Sequence, residues 1–185
     1  MEIFYYIRIE RKKGEILIES LTEYDEVKLY KAEFTPTEPF NMIISEGKRL
    51  YDIVGFQDTS NLAISERVYS LLKEQNFTGW KSYEIDIKGV NEKYYGLQVT
   101  GRSGTLIEPK EAGFYKGYKF DLNTWDKSDF FCPKGTIIFC TQRVKDFFQK
   151  SKATNIEFTN INEIQAYSTG NKRKTGQTKG FFVAF

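Results

Sequence analysis

The chain has 185 residues, 27 Lys plus Arg against 25 Asp plus Glu, a formal charge of +2, and no histidine. That length suits one domain, and the missing imidazole excludes Ser-His-Asp and Cys-His catalysis, histidine acid–base chemistry and imidazole metal ligation. A hydrophobic fraction of 40% with 16 Phe and 12 Tyr supplies a packed, strand-rich core and argues against disorder for most of the chain.

The start, Met1-Glu2-Ile3-Phe4-Tyr5-Tyr6, lacks the basic opening and long apolar run of a secretory signal. No apolar run reaches the roughly 18–20 residues of a membrane span. A cytoplasmic protein without membrane contact is expected. Ile3 to Ile9 reads as a first strand, turning at Arg11-Lys12-Lys13-Gly14 into Glu15-Ile16-Leu17-Ile18 as a hairpin. Val27 to Glu33 alternates like a strand, and Thr35-Pro36-Thr37-Glu38-Pro39 breaks regular structure.

The clearest helix is Ser65 to Gln75, with Ile64, Val68, Leu71 and Leu72 on one stripe. Ser65 is the N-cap, and Asn76 and Gly79 supply the stop. Trp80 to Lys88 alternates as a strand, and Tyr94 to Thr100 is a further strand, ended by a hairpin turn at Gly101-Arg102-Ser103-Gly104. Thr136 to Phe139 leads into a second helix, Thr141 to Lys150, with Thr141 as N-cap and Val144, Phe147 and Phe148 as its stripe. Asn155 to Thr159 reads as a strand, and Ile161 to Tyr167 as its continuation or a short helix. Gly170 to Gly180 is polar and basic, hence a loop, and Gly180 to Phe185 a final buried strand.

Ser60 to Val68 compares with Thr136 to Val144 at an offset of 76, with identities at Arg67/Arg143, Val68/Val144 and Thr78/Thr154. Upstream, Tyr51-Asp52 corresponds to Trp125-Asp126 after a two-residue slip. The expected fold class is therefore α+β: one compact domain over 1–185, with a β-rich segment at 1–45. Two pseudo-repeated strand–helix–strand units, about 50–100 and 124–168, share a mostly antiparallel sheet. Arg67 and Arg143 stand in the first turns of their helices, where the macrodipole disfavours a cation, so a carboxylate such as Asp52 or Asp126 is their expected partner. Ser65, Arg67, Thr141 and Arg143 are structural residues of the repeat.

Asp58-Thr59-Ser60-Asn61-Leu62-Ala63-Ile64-Ser65-Glu66-Arg67-Val68, then Leu71-Leu72 and Thr78-Gly79-Trp80, resembles the Ser-Glu-Arg-Val helix of a bacterial family long labelled a domain of unknown function and associated with immunity proteins of polymorphic toxin systems. Tyr94-Tyr95-Gly96-Leu97 and Phe120 to Phe130 extend the likeness over roughly residues 50–160. The second helix departs from it, with Thr141-Gln142-Arg143-Val144. The resemblance implies binding of a cognate protein toxin and brings no catalytic residue.

Charge is unevenly spread: the first 60 residues carry 12 acids and 8 bases, while Lys172, Arg173, Lys174 and Lys179 meet no acid in the last 16 residues. Glu19, Glu23, Asp25 and Glu26 form an acidic stretch suited to a cationic toxin cleft. Tyr115, Tyr118 and Trp125 are further partner-binding candidates. The same aromatics, with Phe114, Phe120, Lys116 and Lys119 in segment 114–125 and the basic loop 170–180, define the alternative, a nucleic-acid-binding module, although no nucleic-acid signature motif is present. Glu84 and Asp86 share one strand face and, with Asp52, would be needed by a carboxylate hydrolase; two solvated acids are the plainer reading. Cys132 and Cys140, without histidine, cannot close a zinc site and read as buried thiols. No enzyme, metal or cofactor is expected.

Overall fold

In the computed structural model, residues 2–58, 60–103, 106, 107, 109, 111–133, 137–169 and 181–183 are described. Strands dominate and helices are few. Six strands close a barrel in the order β2-β3-β6-β7-β5-β4: β2 (Leu17–Ser20), β3 (Phe40–Glu46), β4 (Ile53–Phe56), β5 (Leu62–Ser65), β6 (Trp80–Ile87) and β7 (Tyr94–Val99). Neighbours are antiparallel except β2/β4 and β3/β6. Closure leaves no open edge in this layer. Alternating positions turn Ile18, Met42, Val54, Phe56, Ala63, Tyr83 and Ile85 inward, and all are buried in one cluster.

A second, five-stranded sheet runs β12-β1-β11-β10-β8, built from β1 (Phe4–Ile9), β8 (Gly101–Arg102), β10 (Phe130–Cys132), β11 (Ile138–Thr141) and β12 (Ile156–Asn160). Between it and the barrel wall β4-β5-β7 lies the largest core cluster, closed by Val68 and Leu72 of α2 (Glu66–Glu74) and Val144 and Phe148 of α3 (Gln142–Lys150). The other face of this sheet packs Phe4, Phe131 and Phe139 against Phe120, Trp125 and Ala166. That third cluster is backed by a small sheet, β14-β13-β9, of β9 (Ala112–Lys116), β13 (Gln165–Thr169) and β14 (Phe181–Val183). The whole is one compact domain.

Several sequence expectations are corrected here. One mostly antiparallel sheet is replaced by three sheets, one of them closed. The β1–β2 hairpin does not form: β1 lies between β11 and β12, and β2 joins the barrel. The reason is two-sided burial, since Phe4 enters one core cluster and Ile7 the other. Arg11 at φ 59° and Gly14 at φ 79° carry the chain out of the sheet. The expected strand at 27–33 is a helix, α1 (Glu26–Tyr30). Asp25 caps it by accepting the Lys28 N–H at 2.9 Å, and the adjacent Leu29 and Tyr30 are both buried, which alternation forbids. Leu29 plugs the barrel core. Gly101-Arg102 is a short parallel strand beside β10 rather than a hairpin turn, and Ile161–Glu163 is a turn leading to β13. Thr136 and the loop 170–180 lie outside the described residues. The final strand, 181–183, pairs antiparallel with β13.

Candidate functional site

Two carboxylate clamps tie the elements together. Asp52, at the mouth of β4, accepts five hydrogen bonds: from Ser65 Oγ at 2.8 Å, Arg67 Nε at 3.1 Å and Nη2 at 2.6 Å, and the Thr154 backbone N–H and Oγ1 at 2.9 and 2.8 Å. Asp129, at the mouth of β10, also accepts five, from Thr141 Oγ1 at 3.2 Å, Arg143 Nε at 3.1 Å and Nη2 at 2.7 Å, and the Thr78 N–H and Oγ1 at 2.9 and 3.1 Å. The same atoms fill the same roles. Each clamp also crosses the molecule: the Thr that follows one helix binds the Asp that precedes the other.

The expected partner Asp52 is thus in place, and Asp126 is corrected to Asp129. Asp126 instead accepts the Arg102 and Ser128 backbone N–H groups. Asp129 stands one residue from the 76-residue offset of Asp52, and Asp126 two. Thr141 occupies the cap position but spends its hydroxyl on Asp129 and makes no cap bond, whereas Ser65 accepts the Val68 N–H. Burial opposes ionisation of both aspartates, but the arginine and threonine hydrogen bonds overcome it and hold both carboxyls below the ordinary range. The clamps are structural: both carboxylates are nearly buried and their acceptor capacity is filled.

The acidic stretch forms a groove. Glu19, Glu23, Glu26 and Asp58 line an open pocket of about 490 Å³, with Leu21 and Tyr24 among its apolar walls and no cation in the lining. Local structure makes it rigid. Asp58 accepts the Ser60 and Asn61 N–H groups, the Asn61 side-chain amide at 2.6 Å and the Tyr24 hydroxyl at 2.7 Å. Asn61 also donates to the Glu26 carbonyl, joining the β4–β5 turn to the start of α1. Burial, then the Asp58 hydrogen bond and charge, push the Tyr24 hydroxyl far above its ordinary pKa, so it remains a neutral donor. Leu21 is 55% and Val27 52% exposed at this end of the barrel. Asp25 does not line the groove; it is the exposed cap of α1.

The aromatic candidates divide. Tyr118 and Trp125 are 4% and 6% exposed in the third core cluster, which corrects their reading as partner contacts. Phe120 is buried with them. Tyr115 is half-buried and donates its hydroxyl to the Glu111 carbonyl at 2.9 Å. Phe114 stays on the surface, edge-on to Tyr167. Glu84 and Asp86 are exposed on the outer wall of the barrel, and Asp52 is locked in its clamp, so these three acids do not converge. Among the described residues no cluster of metal-ligating side chains is present. Cys132 and Cys140 are free, buried thiols, both raised in pKa by burial. Among the described residues no helix is long and apolar enough to cross a membrane.

Tyr24, Asp58, Asp129 and Gln98 carry geometry that sequence reasoning did not assign. For Asp129 a signal existed, an aspartate 12 residues before Thr141 as Asp52 is 13 before Ser65. No family model matches the chain, and no curated protein matches it.

Proposed function

We propose that this chain is an immunity protein, a non-catalytic antitoxin of the cytoplasm that binds and blocks one cognate bacterial toxin without a cofactor. The observation that carries the reading is the groove of Glu19, Glu23, Glu26 and Asp58, which offers four carboxylates and no cation around exposed apolar Leu21. A toxin that acts on nucleic acid needs a cationic cleft, and a preformed anionic groove steers and occludes such a surface. An apolar centre with a charged rim is the usual anatomy of a protein–protein contact. The Tyr24–Asp58–Asn61–Glu26 bonds fix the groove before binding, which lowers the ordering cost.

The resemblance of residues 50–160 to the Ser-Glu-Arg-Val helix family supports the same reading. So does the pairing of units β5–α2–β6 and β11–α3–β12, whose clamps match atom for atom, as a repeat within an α+β frame. Such a doubly tied scaffold suits recognition by a stiff surface.

Co-expression with each toxin encoded beside its gene tests the proposal. Protection of the cells and co-purification with one toxin are expected, and both are lost when Glu19, Glu23 and Glu26 are changed together to Lys. If no neighbouring toxin is neutralised or retained, the reading fails.

A further inference from the structure

We infer that this fold is a fused, strand-exchanged dimer: two copies of one unit, β1–β6 and β7–β12, each completed by the first strand of the other. Exchange of an identical element is a low-cost route to a dimer. The exchange is a property of the frame, so the immunity reading can fail without touching it.

Strand register carries the inference. β7 lies between β5 and β6, with Ser65, Ile64, Ala63 and Leu62 opposite Tyr94, Tyr95, Gly96 and Leu97. β1 lies between β11 and β12, with Thr141, Cys140, Phe139 and Ile138 opposite Phe4, Tyr5, Tyr6 and Ile7. The two sets match pair for pair. Every residue of β5 maps onto β11 at the 76-residue offset of the helices, and β1 maps onto β7 from Phe4 to Tyr94, an offset of 90.

The match continues around both sheets. Trp80, Ser82 and Glu84 of β6 meet Val99, Leu97 and Tyr95, as Ile156, Phe158 and Asn160 of β12 meet Ile9, Ile7 and Tyr5. β4 runs antiparallel to β5 and parallel to β2, as β10 does to β11 and β8. Gly79 and Asn155 both take positive φ, at 79° and 64°, and their carbonyls accept the N–H groups of Thr100 and Glu10. The clamps cross between copies in the same way, Thr154 to Asp52 and Thr78 to Asp129.

Connector length makes the exchange obligatory. To complete its own copy, β7 would have to enter between β11 and β12 and then reach β8 at the far edge of that sheet. A strand in that slot runs parallel to β8, because both are parallel to β10. A parallel connection within one sheet needs about a dozen residues or more. Thr100 alone separates β7 from β8, and only residues 10–16 separate β1 from β2. Neither connector can make the return, so each first strand crosses to the other copy. The barrel that holds the acidic groove is thereby incomplete without β7, and the five-stranded sheet without β1.

A protease recognition sequence inserted between Asn91 and Glu92, both exposed in the β6–β7 turn, lets the folded full chain be nicked between the copies. The halves are expected to stay together at the mass of the whole chain by light scattering. Their refolding from urea should become second order, about tenfold slower at tenfold dilution, while the unnicked chain refolds at one rate. Halves that part without denaturant, or nicked refolding that ignores dilution, would overturn the proposal. A cross-link reads the exchange itself. Tyr5 packs on the same core as Cys140 and stands opposite it, whereas in an unexchanged copy it would face Ile64. After mild oxidation and nicking of a Tyr5→Cys chain, a non-reducing gel should show the halves joined, and separate again when Cys140→Ser is added. Unlinked halves in a folded Tyr5→Cys chain would place β1 elsewhere and refute the exchange.

Discussion

Asp52 and Asp129 show how much a single carboxylate can organise. Each sits nearly buried, at 12% side-chain exposure, and each is paired to an arginine that is about half exposed, at 47% for Arg67 and 56% for Arg143. Solvent screens the arginine's charge, so the ion pair alone contributes little. The fixed threonine and serine donors make the difference, because deleting an acceptor leaves several of them without a partner. Asp52→Asn or Asp129→Asn is expected to cost roughly 2–4 kcal/mol by urea denaturation. The pH dependence follows in sign. Both carboxyls have folded-state values below the unfolded value of about 3.9, so their contribution is fully present above that value and disappears as pH falls through the lowered folded value. Between about pH 5 and pH 2 the wild type should therefore lose stability more steeply than the Asp52→Asn/Asp129→Asn double variant. Equal slopes would show that the clamps do not carry the acid sensitivity.

Elements reveal where sequence patterns suffice and where they do not. The two nine-residue helices and the strand β6 were legible because their burial is one-sided and their periodicity runs over eight or nine residues, and β7 because its aromatic and aliphatic run is bounded by turn residues. The repeated Arg, Val and Thr identities were also legible, and they now have reasons: Arg67, Arg143, Thr78 and Thr154 build the clamps, while Val68 and Val144 are fully buried. The α1 helix was not legible. It has five residues, its cap Asp25 sits in an acidic run that masks it, and its fixity comes from a distant residue. Gln98 of β7, 1% exposed, donates to the carbonyls of Leu29 and Phe34, the latter at 2.8 Å, and accepts from Thr35 Oγ1 at 2.8 Å. Local propensity carries no trace of such a bond. Gln98→Leu keeps the volume but removes the side-chain bonds to the Leu29 and Phe34 carbonyls and to the Thr35 hydroxyl, so a loss of about 2 kcal/mol is expected, with hydrogen exchange accelerated over 26–35. Unchanged protection there would mean α1 is held by Leu29 packing alone.

At the scale of the molecule, the chain reaches its core by long-range pairing rather than by local hairpins. The first strand pairs with β11 and β12 more than 130 residues away, and the barrel closes through the parallel contacts β2/β4 and β3/β6. Those partners cannot be read from periodicity, because alternation fixes a strand's faces and not its neighbours. The acidic groove was half legible: three carboxylates and Tyr24 stood in the residues 19–26, but the fourth carboxylate, Asp58, and the Asn61 amide that tie it together came from the β4–β5 turn. The overall charge of +2 conceals an uneven spread, with an anionic groove on the barrel and no acid in residues 165–185, which carry four cations. With no histidine in the chain, no imidazole titrates near neutrality, so partner binding on this protein's side should be flat between about pH 6 and 8. The most direct measurement of the proposed function is the association rate of the purified chain with an inactivated toxin encoded beside its gene, for wild type and for Glu19→Lys/Glu23→Lys/Glu26→Lys, at low and physiological ionic strength. The account predicts a wild-type rate that falls with salt, and a variant at least tenfold slower with little salt dependence. A variant that associates as fast as the wild type would contradict it.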